Sequence, residues 1–581
     1  MILLSIVAAS LISSASADEK EEAIGIKQIN KPAVKVVTVE RAADAKLIER
    51  IEKLEKSLKK ANKNIKKLKT TLSSVKAHDA KDNIKWGVDF RTSYDNIRYT
   101  TASGKKYKND SLFSNRLWLN MSYAATENMI FKGQLSYNKA YGASPAMENG
   151  LNQRGAHGYD VFDWVTNENL TNDSIKIKQA YWLYMSDSFL GTDIDWTASF
   201  GRRPSTNGFL ISLRDDDNPA SPMGHLINME FDGASFKFGL EKVTDISGMY
   251  LKFCFGRGLS NARARFNMDG GFDSMGDYTK DDTTLDNIDL AGLIFVPYDD
   301  GQYKVMTTYF RGWNVPGFVM ADPDMVGATG NTGMLALQDT NNNGIVDTMV
   351  PNQSMRLENL GAMSGAGVSL LVDGIGNGIN DFLDNTKFFA SFGWSQSDPD
   401  NKLDAFNANA MMQQIGQMMQ ANPGMTQQQA IEGMIQQLGA NPQAAAAMMT
   451  QAGMMGSTDK ETGTSYWVGV QMPAVFTDDG RIGLEYNHGS KYWRPFTYGE
   501  DTLIGSKIAA RGNAYEVYYT QPLMKAFSMQ IRYTYIDYKY TGSQGFFGGS
   551  GAPMTMDEAR AFGMDPIDKA QDLRVYFRYR F

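Results

Sequence analysis

The chain has 581 residues, 58 Lys/Arg against 65 Asp/Glu, a formal net charge of −7 and one cysteine. A lone Cys254 excludes an intramolecular disulfide and a thiolate metal cluster, and His78, His157, His225 and His488 are too scattered for a histidine metal site. The many aromatics (27 Tyr, 30 Phe, 9 Trp) and 55 Gly suit an all-β protein, although a mean hydropathy below zero also fits an ordinary soluble chain.

The first residues, "MILLSIVAASLISSASADEK", carry an apolar run followed by Ala15-Ser16-Ala17. This reads as a signal peptide over 1–17, too short for a transmembrane helix and without the usual basic start. A start codon assigned too late or an uncleaved anchor would explain that missing feature. Residues 18–43 read as a polar linker. Over 44–78, Leu47, Ile51, Leu54, Leu58, Ala61, Ile65, Leu68, Leu72 and Val75 alternate steps of four and three, which predicts a periplasmic coiled coil. Eleven basic residues against four acidic ones make this helix cationic, either as a solvated face or as a surface for peptidoglycan or lipid.

From Lys85 the period falls to two. "KWGVDFRTSY" places Trp86, Val88 and Phe90 opposite Asp89 and Arg91, and "NRLWLNMSY" places Leu117, Leu119 and Met121 opposite Arg116 and Asn120. The last stretch, "DLRVYFRYRF", sets Leu573, Val575, Phe577, Tyr579 and Phe581 against Arg574, Tyr576, Arg578 and Arg580. Strands that are apolar outside and polar inside predict a transmembrane antiparallel β-barrel over 85–581. About 16 strands can be marked, with a range of 14–18. Short connectors, such as 126–128 and 477–481, alternate with longer ones at 101–111, 143–173, 205–225, 259–284, 314–354, 398–463, 491–510 and 541–569. An even-stranded barrel with both ends on one side explains that alternation, and a sandwich does not.

These features resemble bacterial outer-membrane porins. The aromatic C-terminal strand ending in Phe581 looks like a barrel-insertion signal, carried by Phe577, Tyr579 and Phe581. "SFGRRPST" (199–206) is similar to a strand-end motif common in porins. The order of coiled coil then barrel is similar to porins tethered through a periplasmic helix, and "YFRGWNVPGF" (309–318) resembles an uncharacterised porin-like proteobacterial family. The resemblance implies a Gram-negative outer membrane, contact with lipid and lipopolysaccharide, handling by the barrel-assembly machinery, and a homo-oligomer, a trimer being one option.

In a barrel this wide the inward rows decide selectivity. The candidate pore cations are Arg91, Arg116, Lys132, Arg203, Arg532, Arg574, Arg578 and Arg580, with Asp89, Asp195 and Glu230 as inward acids. Unpaired arginines would favour anions, whereas pairing across strands would only fill a wet interior. "DTNNNGIVD" (339–347) places Asp339, Asn341, Asn343 and Asp347 at positions 1, 3, 5 and 9 of a calcium loop, with the Ile345 carbonyl at position 7. Val350 stands where the final acid belongs, so Ca²⁺ would bind weakly, and an Asn/Gly-rich turn is the plain alternative. Residues 406–456 hold ten Met and eleven Gln within the insertion 398–463, expected as short helices in one loop that packs on itself, plugs the pore or meets a partner. "RDDDNP" (214–219) reads as solvated loop acids, the alternatives being a lining of the external mouth or lipopolysaccharide-bridging cation sites. No nucleophile–base pairing, P-loop or nucleic-acid signature is present, so the reading is a non-enzymatic porin-type channel that requires no cofactor. The alternatives are a gated transporter of apolar solutes and a tether between outer membrane and cell wall.

Overall fold

The computed structural model describes residues 84–142, 170, 175–262, 278–280, 286–319, 331–332, 335–338, 348–351, 356–400, 416–426, 429–430, 433, 455, 457, 459–497, 501–543, 553–561 and 565–581. The expected signal peptide, linker and coiled coil lie outside these residues, as do calcium-loop residues 339–347 and most of the Met/Gln-rich insertion.

Sixteen antiparallel strands close into one barrel. In chain order they are β1 (Lys85–Thr101), β2 (Lys106–Ala124), β3 (Met129–Ala140), β4 (Lys176–Ser186), β5 (Trp196–Arg202), β6 (Asp232–Gly239), β7 (Tyr250–Leu259) and β8 (Ile288–Asp299). The circuit continues through β9 (Tyr303–Val319), β10 (Arg356–Asp373), β11 (Lys387–Pro399), β12 (Thr462–Pro473), β13 (Arg481–Gly489), β14 (Gly512–Met524), β15 (Phe527–Tyr538) and β16 (Ile567–Arg580). Each strand pairs with its sequence neighbour, and β16 returns to β1 with Arg578 opposite Arg91 and Arg574 opposite Asp95. Closure removes the unpaired edge that an open sheet would expose. The chain end completes it, because Phe581 and Val88 exchange backbone hydrogen bonds of 2.9 Å in both directions.

Alternation places one row of each strand outward. On β16 Leu573, Phe577 and Tyr579 are exposed while Arg574, Tyr576 and Arg578 are buried; on β15 Ile531 and Tyr533 are exposed while Gln530, Arg532 and Thr534 are buried. An exposed apolar row beside a buried charged row has no place in water and is stable only with lipid outside. Among the described residues no helix is long and apolar enough to cross a membrane.

Seven short turns close one end of the barrel. The connector expected over 101–111 is instead a four-residue turn, 102–105, because the alternating pattern continues through Thr101 and resumes at Lys106. The 314–354 connector also differs. β9 runs on to Val319, and Asn331–Thr332, Leu335–Gln338 and Thr348–Pro351 form a separate three-stranded sheet. That sheet pairs Gln338 with Thr348 on either side of 339–347.

The larger departure is inside. A 16-stranded barrel is too wide for its own side chains to fill. Two connections, 203–231 after β5 and the described parts of 490–511 after β13 (490–497 and 501–511), fold into that space. Near the end of β5 Gly201 sits at φ +121°, where any Cβ would lie 2.3 Å from the Ala180 carbonyl oxygen, and the strand ends at Arg202. Arg203-Pro204 then turns the chain inward, since Pro204 has no backbone N–H with which to continue the ladder.

Candidate functional site: the plugged lumen

The inward segments are apolar where loops are usually polar. Phe209, Leu210, Ile211, Met223, Leu226 and Met229 are buried against wall residues Val296, Met306, Phe310, Phe389 and Trp467. Trp493, Phe496 and Ile508 of the second segment, and Met455 from the end of the Met/Gln-rich insertion, belong to the same cluster. At about 1.5–3 kcal/mol for each fully buried large side chain, this cluster is an inner core in its own right. The two segments also pair with each other: the Phe496 amide donates to Leu226 O (2.9 Å), and the Asn228 amide donates to Phe496 O (2.6 Å).

His225, absent from the wall, pins this core. Its Nδ1 lies 2.7 Å from Ser391 Oγ on β11, and its Nε2 lies 2.9 Å from Ser465 Oγ on β12. Burial alone pushes the imidazole down to about 3, so the ring is neutral and donates through one nitrogen. The first segment carries a one-turn helix, α1 (Ile211–Arg214). Asn207, Leu210 and Asp216 around it adopt left-handed backbone, at φ 56°, 77° and 53°. Leucine has no side chain to favour that region, so the Leu210 conformation is imposed by packing.

Charge seats the plug. Asp501 accepts from both terminal nitrogens of Arg91, one at 2.9 Å, from Arg116 at 3.2 Å and from Arg574 at 3.0 Å. Its backbone carbonyl accepts from Arg532 (3.0 Å) and Arg214 (3.5 Å). Burial by itself would raise the Asp501 carboxyl; Arg91, Arg574 and Arg116 outweigh it and hold the group well below the usual carboxylate range. A second cluster lies at the tip of the first segment. Arg578 binds Asp89, Asp217 (2.8 Å) and the Asp215 carbonyl (2.9 Å), while Arg580 binds Asp217 (2.5 Å). Asp216 pairs with Arg481 at 2.6 Å, and Tyr576 OH donates to Asp215 at 2.9 Å. Further along, Lys507 bridges Glu485 and Glu516, Arg214 reaches Glu516 at 3.3 Å, and Lys178 and Arg202 share Glu230.

The expected pore cations are therefore placed as follows. Arg91, Arg116, Arg532, Arg574 and Arg578 are buried in the lumen and contact acids or carbonyls of the plug; Arg580 is half-exposed at the short-turn rim. Arg203 lies over the Tyr181 ring at 4.8 Å. Lys132 is exposed. The expected inward acids divide: Asp89 is on the wall, Glu230 is on the plug, and Asp195 sits in a short turn beside Lys242. "RDDDNP" is not at the external mouth. Its aspartates sit among Arg481, Arg578 and Arg580 at the short-turn end, because 203–231 runs down through the barrel. The segments 203–231 and 490–511 were not singled out by alternation, yet "GFLISLR" and "LIGSKIAAR" are too apolar for connections in water.

Between the plug and strands β1–β4 a cleft of about 600 Å³ remains. Its charged lining is three acids, Asp89, Asp216 and Asp217, and three bases, Lys178, Arg578 and Arg580. Its wall carries amides: Gln134 Nε2 donates to Asn120 Oδ1 (2.8 Å), and Gln179 Nε2 donates to Gln134 Oε1 (3.1 Å). Among the described residues no group of three His, Cys, Asp or Glu is arranged to hold a metal ion.

A family model described as a protein of unknown function, DUF3373, matches residues 106–581. The chain belongs to this family. No curated protein matches the chain. Among solved structures it is similar to Salmonella typhi OmpF in complex with daunomycin, at 9% identity and a TM-score of 0.39, covering 87% of this chain and 99% of that one. It is also similar to Pseudomonas putida OprB in its high-pH structure (10%, 0.39, 87% and 96%) and to an anion-selective porin from Comamonas acidovorans (9%, 0.38, 86% and 100%).

Proposed function

We propose that this DUF3373 protein is an outer-membrane channel for small hydrophilic solutes, narrowed by its own inward segments to the cleft beside β1–β4. The observation that carries the reading is a closed 16-strand barrel, apolar outside, whose interior keeps an unfilled polar cleft of about 600 Å³. Most candidate cations are neutralised by plug acids, so any anion preference rests on Lys132 and Arg203, for which no ion pair is found among the described residues. The reading needs no catalytic group and no required cofactor.

The same reading places the outward Phe577, Tyr579 and Phe581 as the signal for barrel insertion, lipopolysaccharide around the loops, and residues 44–78 as a periplasmic coiled coil that oligomerises or meets peptidoglycan. It keeps 339–347 as a weak Ca²⁺ loop. Planar-bilayer recording tests the central claim: an ohmic conductance is expected from the purified full chain, and a barrel that passes no current at any voltage would refute it. A second reading, a gated transporter, is favoured by one observation. The plug is seated on the wall by discrete ion pairs, such as those of Asp501 with Arg91, Arg116 and Arg574, and such contacts can be broken. On that reading conductance appears only after the plug is loosened.

A further inference from the structure

We propose that the lumenal cleft is a binding site for neutral polyhydroxylated solutes of mono- to disaccharide size, an inference that rests on the channel reading and narrows its substrate class. Three observations lead there. First, the charges cancel. Three acids face three bases, and each is committed: Asp89 and Asp217 to Arg578, Asp217 also to Arg580, Asp216 to Arg481, and Lys178 to Glu230. An ion would have to compete with these pairs for the charged groups. A neutral solute can be held by their remaining lone pairs and N–H groups without disturbing them.

Second, the wall offers an ordered row of amides. Asn120, Gln134 and Gln179 stand opposite one another on β2, β3 and β4, because the register aligns Asn120 with Gln134 and Gln134 with Gln179. Each amide has two donors and an acceptor with two lone pairs, and the ladder uses one donor from each glutamine and one lone pair each of Asn120 Oδ1 and Gln134 Oε1. The row therefore repeats spare donors and acceptors at the interstrand spacing of about 4.8 Å, which suits alternate hydroxyls around a pyranose ring. A hydroxyl both gives and accepts, so it uses both kinds of spare group on this surface.

Third, the plug completes the other wall with the same chemistry. Asn207 and Asn218 line the cleft, and Asn207 Nδ2 is oriented by Asp217 Oδ2 at 2.9 Å. The cleft is of ordinary ligand-site size, within the range of about 300–1,000 Å³. Trp118 does not act as a stacking platform, because Arg116 covers its ring at 3.5 Å. Recognition is by hydrogen bonds. A site of this kind discriminates against analogues that lack hydroxyls.

The test is single-channel recording of the full chain in potassium chloride, with sucrose added on one side, and with gluconate and tetraethylammonium as charged comparators. Sucrose is expected to block the current reversibly and saturably. Asn120→Ala, at an exposed amide, is expected to raise the half-blocking concentration about five- to tenfold, and Gln134→Leu by at least as much. Folding of each variant is checked by heat-modifiable gel mobility. If the wild type conducts but sucrose lowers the current no more than its viscosity requires, or if gluconate or tetraethylammonium blocks better, the polyol site is refuted while the channel stands. If the wild type passes no current, the channel reading falls. The site is then decided by calorimetry of sucrose with the detergent-solubilised chain, where binding lost in Asn120→Ala supports it and no heat overturns it.

Discussion

Asp501→Ala removes one carboxylate on which three arginines converge. Arg91, Arg116 and Arg574 each donate to it, and all three are almost fully buried. Arg574 keeps Asp95, and Arg116 keeps Asp89 at 3.5 Å, but the pair of bonds made by Arg91 is lost outright. A hydrogen bond to a charged group contributes about 1.5–3 kcal/mol, and stripping the partner from a buried ion pair costs about 3–5 kcal/mol. Because Asp501 retains 24% side-chain exposure, the lower end applies, about 3 kcal/mol. That corresponds to roughly a hundredfold shift toward an undocked plug. Single-channel recording should show larger or more frequent openings, and limited proteolysis should cut within 490–511 while the barrel stays intact. Asp501→Asn keeps the shape and loses the charge, and should fall between the two. Unchanged openings together with unchanged protease resistance in Asp501→Ala would refute the reasoning.

The pH dependence of that lock has a definite sign. The folded Asp501 carboxyl is held below its unfolded value, so its contribution is fully present above about pH 4 and is lost as pH falls through the lower folded value. Conductance is therefore expected to be flat from neutral pH down to about pH 4, and opening at pH 6 would contradict the assignment. His225→Ala removes both the Ser391 and Ser465 contacts and should weaken seating of the plug by about 1–3 kcal/mol, read as increased current noise without loss of heat-modifiable mobility. Gly201→Val forces a Cβ against Ala180 O at positive φ and is expected to abolish barrel formation, measured as loss of the folded band. Reversal potentials in a potassium chloride gradient should give an anion-to-cation permeability ratio near unity, because the cleft charges cancel; strong anion selectivity would show that Lys132 and Arg203 dominate.

Much of the architecture was legible because a strand in a barrel has only two faces. Alternation with period two identified the rows, and the aromatic row and arginine row of 572–581 required lipid on one side and a polar interior on the other. The regular succession of short and long connectors carried the strand count to sixteen. Even the misread 101–111 follows from the same rule, since polar "GKKYKND" looks like a loop while continuing a strand beyond the apolar band.

What fills the barrel was decided only by tertiary structure. Alternation says that Arg91, Arg116, Arg574 and Arg578 point inward, but it carries no information about what they meet hundreds of residues away. The aspartates of 215–217 read in sequence as loop acids and Asp501 was not singled out; only the fold of their segments into the lumen turns them into counter-ions. The same fold leaves Asn120, Gln134 and Gln179 facing an open cleft while their neighbours are covered. Local pattern fixes which face a residue occupies, because backbone geometry is local. Whether that face meets water, a plug or a solute depends on long-range packing in a cylinder too wide to be filled by its own walls.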